Sequence, residues 1–285
     1  MFAMRDIVPE ASVIKLGTMG EYGSPLTGRP LFEGLFPGDA VLQYGDDEWS
    51  LGGELVPRDP VSFYHVSKVQ GTFTMYEACK YWWLRGIDVM QGVIYGLNTP
   101  ELSVDPSLNT RFDIDEWWGT VINRFVAQTV VGAPMTIFGS GNQMRGYITV
   151  ADAMQCMVRL LASPPEPGQY DVVNQVTDVF SVRQLADTIG RIGREEFGLK
   201  PMIQRIENPR VEAEEHPYEV LHTKLESEYG FVSDTKLEDE VRYMFGRLQD
   251  PEAADRIAEQ KEQLFPKTLW SGSQKKLEVL ETIEF

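Results

Sequence analysis

The stretch Pro60–Arg85 (PVSFYHVSKVQGTFTMYEACKYWWLR) constrains the fold of this chain more than any other. It contains no internal proline, its apolar residues recur at helical spacing, and Gly86 follows as a stop signal, so one long helix is expected. β-like apolar runs flank it at Val13–Leu16 and Asp88–Tyr95, the second expected to be a buried strand. Strand, long helix and strand in succession are the repeating unit of an α/β fold.

The remainder continues the alternation. Residues from about Leu26 to Pro57 are rich in Gly, Pro and Asp, with strand-like pieces at Ala40–Tyr44 and Glu48–Leu51 around Gly45-Asp46-Asp47, which predicts a surface hairpin and a candidate lid. An amphipathic helix is expected at Glu116–Val131, a strand pair at Met135–Phe138 and Gly146–Val150, and a helix at Ala151–Ala162. A strand at Tyr170–Asn174, a helix at Val182–Phe197 and a strand at Met202–Ile206 follow, and past Asp234 the pattern is charged amphipathic helix.

Composition bounds the partners. The 285 residues carry 43 acidic against 26 basic side chains, a formal charge of -17, which opposes a nonspecific grip on nucleic acid or an anionic membrane. A small anionic substrate then requires a local basic pocket. Cys79 and Cys156 stand alone on apolar segments, away from any metal-ligand spacing, so buried reduced thiols and an intracellular compartment are expected. No run reaches the roughly 18 apolar residues of a membrane span, and MFAMRDIVPEAS is not a signal peptide, so a soluble cytoplasmic protein is expected.

Tyr64 and Lys68, at i and i+4, fall on one face of the long helix. A phenol with an ordinary pKa of about 10 is a poor base at neutral pH, and a neighbouring ammonium favours its ionised form. Tyr64 so primed can take a proton from a sugar hydroxyl while a hydride leaves the carbon. Thr18, in the Gly-rich loop GTMGEYG after Val13–Leu16, can bond the same oxygen. The pattern YxxxK also occurs as a solvated pair on many helices, and spacing alone leaves both readings open.

The strings GTMGEYG, SFYHVSK, QGVIYG, GYITVADAMQC and NPRVEAEEH, in that order, resemble the UDP-sulfoquinovose synthases of the extended short-chain dehydrogenase/reductase class, over nearly the whole chain to about Phe231. The resemblance implies a truncated Rossmann-type parallel sheet with a smaller C-terminal α+β substrate domain. Its expected divisions are residues 1–132 (dinucleotide domain), 133–250 (substrate region) and 251–285 (helical tail). It implies NAD as cofactor, UDP-glucose and sulfite as substrates, UDP-sulfoquinovose as product, and a homodimer through the long helix.

The resemblance also distributes roles. Thr18, Tyr64, Lys68 and His65 are the implied catalytic groups, with Tyr64, Lys68, Gln91, Gly92 and Ile94 beside NAD. Thr18, Asn123, Arg124, Gln143, Arg145, Tyr147 and Arg210 are the implied substrate contacts, since arginine forks match a diphosphate. His65 projects about 100° around the helix from Tyr64, which leaves its reach open. Glu212, Glu214, Glu215 and His216 fall in a substrate-domain stretch, and no metal is expected. Trp82-Trp83 and Trp117-Trp118 read as core or subunit-interface anchors rather than stacking platforms.

Two departures matter. Thr18 is followed by Met19-Gly20 where the 4,6-dehydratases have Asp-Glu, which argues against dehydratase chemistry. GTMGEYG mimics a dinucleotide fingerprint, yet Ser24-Pro25-Leu26 follows instead of a helix that would receive the pyrophosphate. The Gly-rich half of the NAD site is therefore expected to be missing, through a misplaced start, a second polypeptide or decay. A UDP-sugar 4-epimerase and a noncatalytic UDP-sugar-binding chain remain the alternatives.

Overall fold

The computed structural model describes residues 1–23, 30–60, 62–108, 112–114, 119–208, 218–265 and 278–285. In chain order the elements are α1 (Phe2–Ile7), β1 (Ser12–Leu16), a 3-10 turn (Met19–Tyr22), β2 (Val41–Tyr44), β3 (Asp47–Ser50), α2 (Phe63–Trp82) and β4 (Arg85–Gln91). They continue with β5 (Val93–Tyr95), α3 (Val121–Val130), β6 (Met135–Phe138), β7 (Met144–Thr149), α4 (Val150–Ala162), β8 (Tyr170–Gln175) and β9 (Asp178–Ser181). The last are α5 (Val182–Phe197), β10 (Met202–Ile206), α6 (Lys224–Ser227), α7 (Leu237–Leu248), α8 (Pro251–Glu259) and β11 (Val279–Glu284). The expected α/β alternation is present.

The chain forms two compact units. One comprises Met1–Gly92, Ala153–Asp178 and Pro217–Ser233; the other comprises Val93–Asp152, Val179–His216 and Asp234–Phe285. Where the sequence suggested divisions near residues 132 and 250, the units instead exchange the chain several times.

In the first unit β1, β4 and β8 form a parallel sheet in the order β1-β4-β8. Ile87, Val89, Met90, Val172 and Val173 have no exposed surface, as expected of parallel strands covered on both faces. Helix α2 is capped at its start by Ser62, whose hydroxyl accepts from the His65 amide. It ends at Trp83, in the left-handed conformation at φ 59°, and not at Gly86. Gly86 lies inside β4 instead, where a β-carbon would come within 2.7 Å of Cys79 Sγ. Met75, Ala78, Cys79 and Leu84 form the buried contact beneath the helix. The β2–β3 pair is the expected hairpin, antiparallel from Val41↔Ser50 to Tyr44↔Asp47, with Gly45 at φ 65° in its turn.

Three local expectations change. The apolar run Asp88–Tyr95 is not one strand: it is broken at Gly92, whose amide bonds the Gln175 carbonyl, and β5 joins a different sheet from β4. Met135–Phe138 and residues 146–150 do not pair with each other; β6 lies parallel to β10 and β7 parallel to β5. The tail is not helical to its end, because β11 pairs antiparallel with β10. Phe285 then packs on α5 at Gly190, where a β-carbon would be 2.5 Å from its ring.

The second unit is built around Phe125, Val126, Ile137, Tyr147, Leu185, Ile189, Val241, Met244 and Phe245. Its two three-stranded sheets have the orders β5-β7-β9 and β11-β10-β6. Among the described residues, no helix is long and apolar enough to cross a membrane.

Candidate active site

The turn after β1 is shaped by a reciprocal capping box. The Thr18 hydroxyl accepts from the Gly20 amide at 3.3 Å, and the Glu21 carboxylate accepts from the Thr18 amide at 3.3 Å. Thr18 keeps its hydroxyl proton free to donate. Glu21 is fully buried, so the carboxylate is turned into the protein beneath the turn.

Helix α2 brings Tyr64, His65 and Lys68 to this turn. The His65 ring lies against Gly20, where a β-carbon would approach Nε2 to 2.2 Å, and His65 Nδ1 lies 3.0 Å from the Ser62 hydroxyl. Glycine is therefore what admits the imidazole. The Tyr64 and His65 rings meet edge to face at 5.2 Å. Lys68 Nζ donates to the Leu16 carbonyl at the end of β1, at 2.8 Å, and lies 5.5 Å from the centre of the Tyr64 ring. The spacing of Tyr64 and Lys68 thus places both on one face.

The electrostatics correct the expected priming. The Lys68 ammonium lies over the phenol face, and the Tyr64 pKa is raised rather than lowered, first by partial burial and then by the Glu21 carboxylate. Burial lowers the pKa of His65, and Glu21 acts weakly in the opposite sense. At neutral pH the resting pair is a neutral phenol beside a neutral imidazole.

A buried charge cluster underlies the turn, and it escapes sequence reasoning. Lys15 Nζ donates to Glu21 Oε1 at 2.9 Å, to the Thr72 hydroxyl at 2.9 Å and to Asp88 Oδ1 at 2.9 Å. Lys15 and Asp88 are directly opposite in the β1–β4 register. Tyr170 donates to Asp88 Oδ2 at 3.0 Å. The available signal is one Lys and one Asp within otherwise apolar parallel-strand runs, VIKL and GIDVM.

The other expected site residues fall as follows. Gln91 donates to Gln175 at 2.9 Å, and Gln175 in turn donates to the Ala153 carbonyl, so Gln91 is satisfied within the protein. Gly92 follows it, while Ile94, on β5, belongs to the second unit. Asn123 is buried and accepts from the Gly96 amide at 3.0 Å, which ties its carbonyl oxygen to the end of β5. Gln143 donates to the Phe138 carbonyl at 3.2 Å, and Arg145 donates to the Met144 carbonyl at 2.8 Å. Arg124 lies on α3. Tyr147 has no exposed surface and packs against Tyr95 and Phe180, which makes it a core residue and corrects its expected contact with substrate. Arg210, Glu212, Glu214, Glu215, His216, Trp117 and Trp118 lie outside the described residues. Among the described residues no cluster of metal-ligating side chains is present.

Residues 38–174 match the model of the NAD dependent epimerase/dehydratase family. The chain is 38% identical to the UDP-sulfoquinovose synthase of Sulfolobus acidocaldarius over 272 residues, 95% of this chain and 66% of that protein. Over residues 38–174 the chain resembles the NAD dependent epimerase/dehydratase family. It is also 40% identical to the chloroplastic UDP-sulfoquinovose synthase of Spinacia oleracea over 225 residues, 79% of this chain and 45% of that one. It therefore spans less than two thirds of the length of either relative. The fold is similar to the UDP-glucuronic acid 4-epimerase of Bacillus cereus, with a TM-score of 0.61 at 16% identity, covering 90% of this chain and 65% of that one. The likeness shows the fold, a Rossmann-like parallel sheet with helices.

The donor set fits one end of a dinucleotide. Tyr64 is 55% exposed, and Lys68 has spent one of its three donors on Leu16, which suits a nicotinamide ribose. The turn Met19–Tyr22 does not fit the pyrophosphate end: it is a single 3-10 turn and its interior holds the Glu21 carboxylate, which would repel a second anion. Among the described residues no Gly-rich turn opens into a helix.

Proposed function

We propose that this chain carries the acid–base half of an NAD-using enzyme that converts UDP-glucose and sulfite to UDP-sulfoquinovose. The observation that carries the reading is the meeting of Thr18, Tyr64, His65 and Lys68 around a turn whose Gly20 admits the imidazole. The two UDP-sulfoquinovose synthases among its relatives support the substrate class.

When bound, NAD supplies a hydride acceptor at C4 of the glucose ring and returns the hydride at the end. Tyr64 takes the proton of the C4 hydroxyl, with Lys68 lending positive charge to the forming phenolate, and Thr18 donates to the same oxygen. A C4 ketone acidifies the C5 hydrogen. His65, neutral at rest, accepts that proton and hands one to the departing C6 hydroxyl, which leaves as water. Sulfite adds to C6 of the resulting enone, a proton returns to C5, and Tyr64 gives its proton back as C4 is reduced. Substrate and product differ by sulfite gained and water lost, with no net redox change.

Arg124, Arg145 and Arg210 are the proposed diphosphate contacts, with Asn123 and Gln143 as supports. A phosphate-binding turn for the far end of NAD is proposed to be supplied by further sequence or a second polypeptide, and the greater length of the relatives supports this. A homodimer through α2 is supported by Phe73 and Tyr81, both exposed on that helix. Buried thiols at Cys79 and Cys156 fit a reducing compartment such as the cytoplasm.

The test is incubation of the chain, alone and extended by any upstream coding sequence, with UDP-glucose, NAD and sulfite, and mass spectrometry of the nucleotide sugars. A sulfonated nucleotide hexose is expected. UDP-galactose formed without sulfite incorporation would replace this reading by a 4-epimerase. Binding of UDP-glucose with no turnover in either form would leave a noncatalytic chain.

A further inference from the structure

We propose that Glu21 is a positioning residue whose carboxylate, clamped by Lys15 and Thr72, fixes the Thr18 turn against the acid–base pair on α2. The proposal rests on the functional reading above, and it adds a residue that acts through others rather than on substrate.

Both oxygens of Glu21 accept hydrogen bonds. Oε1 accepts from Lys15 Nζ at 2.9 Å and from the Thr18 amide at 3.3 Å, and Oε2 accepts from the Thr72 hydroxyl at 2.7 Å. The three donors of Lys15 go to Glu21, Thr72 and Asp88, so the ammonium is fully used inside the protein. Gly17 closes the arrangement from above, because a β-carbon there would lie 2.7 Å from Asp88 Oδ1 and 2.8 Å from Glu21 Oε1. A carboxylate held at this many points cannot swing away when the turn is loaded.

The charge balance gives the cluster a second consequence. Two carboxylates, Glu21 and Asp88, share one ammonium, so the ionised cluster carries a net negative charge under the turn. Around Glu21 lie Lys15 from β1, Thr72, Tyr64 and His65 from α2, and Tyr22 with Arg58 stacked on its ring, while Asp88 from β4 shares the Lys15 ammonium and accepts from Tyr170 of β8. Glu21 raises the pKa of both Tyr64 and His65, which no other carboxylate does for that pair. The effect is to keep Tyr64 protonated until a ligand and Lys68 offset the cost.

Glu21→Gln keeps the shape and an oxygen for the Thr18 amide but removes the charge. NMR titration of the 285-residue chain without substrate reads the result. The His65 and Tyr64 pKa values are both expected to fall relative to the unsubstituted chain, with the thermal transition retained. Identical titrations in the two proteins would overturn the proposal. Thr72→Val is the second arm, since it keeps the three charges and removes the hydroxyl that bonds Glu21 Oε2, Asp88 Oδ2 and Lys15 Nζ. Exchange of the Thr18 amide with solvent is expected to speed up by about tenfold or more, as a local opening freed of one bond would allow. Unchanged exchange would overturn the proposal as well. Both readouts are made without turnover, so failure to form a sulfonated product would reject the functional reading while leaving these results to stand or fall alone.

Discussion

The imidazole of His65 occupies the space that a β-carbon on Gly20 would fill, 2.2 Å from Nε2. The residue that opens this space comes two positions after Thr18, in the place where a 4,6-dehydratase would have the second of its two acids. In the proposed mechanism a neutral base from α2 takes the place of a carboxylate from the turn.

Gly20→Ala tests that substitution of parts. The clash falls on the far end of a side chain, so folding stability should change by less than about 1 kcal/mol. Turnover should fall by about tenfold or more, because a displaced base loses its alignment with the reacting atoms. Product formation by mass spectrometry and a urea titration check the two halves.

Tyr64→Phe should cost turnover about 100-fold or more, the range for loss of a general acid–base group. Among the described residues the Tyr64 hydroxyl makes no hydrogen bond, and the ring meets His65 and the Lys68 ammonium, so the thermal midpoint should hardly move. A large loss of stability would assign Tyr64 a structural role instead.

His65 gives stability a pH dependence of definite sign. Its folded pKa lies below the unfolded value of about 6.5, so the unfolded chain binds more protons between the two. Stability should therefore fall as pH drops below about 6.5 and level off beneath the folded pKa. Comparison of urea midpoints for the unsubstituted chain and His65→Gln should show a shallower acid-side slope in the variant.

Lys15→Met leaves Glu21 and Asp88 buried with no cation. Breaking a buried ion pair by removal of one partner costs about 3–5 kcal/mol, and that loss is expected at neutral pH. A urea titration measures it, and a change under about 1 kcal/mol would show that the cluster is not ionised as described.

The long helix and its Tyr64–Lys68 pair were legible in the sequence because both follow from local spacing: 3.6 residues per turn fixes which side chains share a face. The same holds for the hairpin at Gly45. Breaks set by distant partners were not legible. Gly92 in an apolar run reads the same whether a strand bends or changes sheet, and the change depends on Gln175. The direction of the Tyr64 shift is not legible for the same reason, because it is set first by partial burial and then by a carboxylate beside Lys15, which meets Asp88 across the sheet, 73 residues along the chain. Tyr147 shows the converse: it shares a strand face with Arg145, two positions earlier, yet it has no exposed surface and packs against Tyr95 and Phe180, which local spacing does not reveal.

The most direct measurement is isotopic. UDP-glucose, sulfite and NAD are supplied in deuterated water, and the sulfonated product is examined by mass spectrometry and NMR for deuterium at C5. The account predicts one solvent deuterium at C5 in that product, and product formation suppressed in Tyr64→Phe. A sulfonated product with the original hydrogen at C5, or undiminished turnover without the Tyr64 hydroxyl, would contradict it.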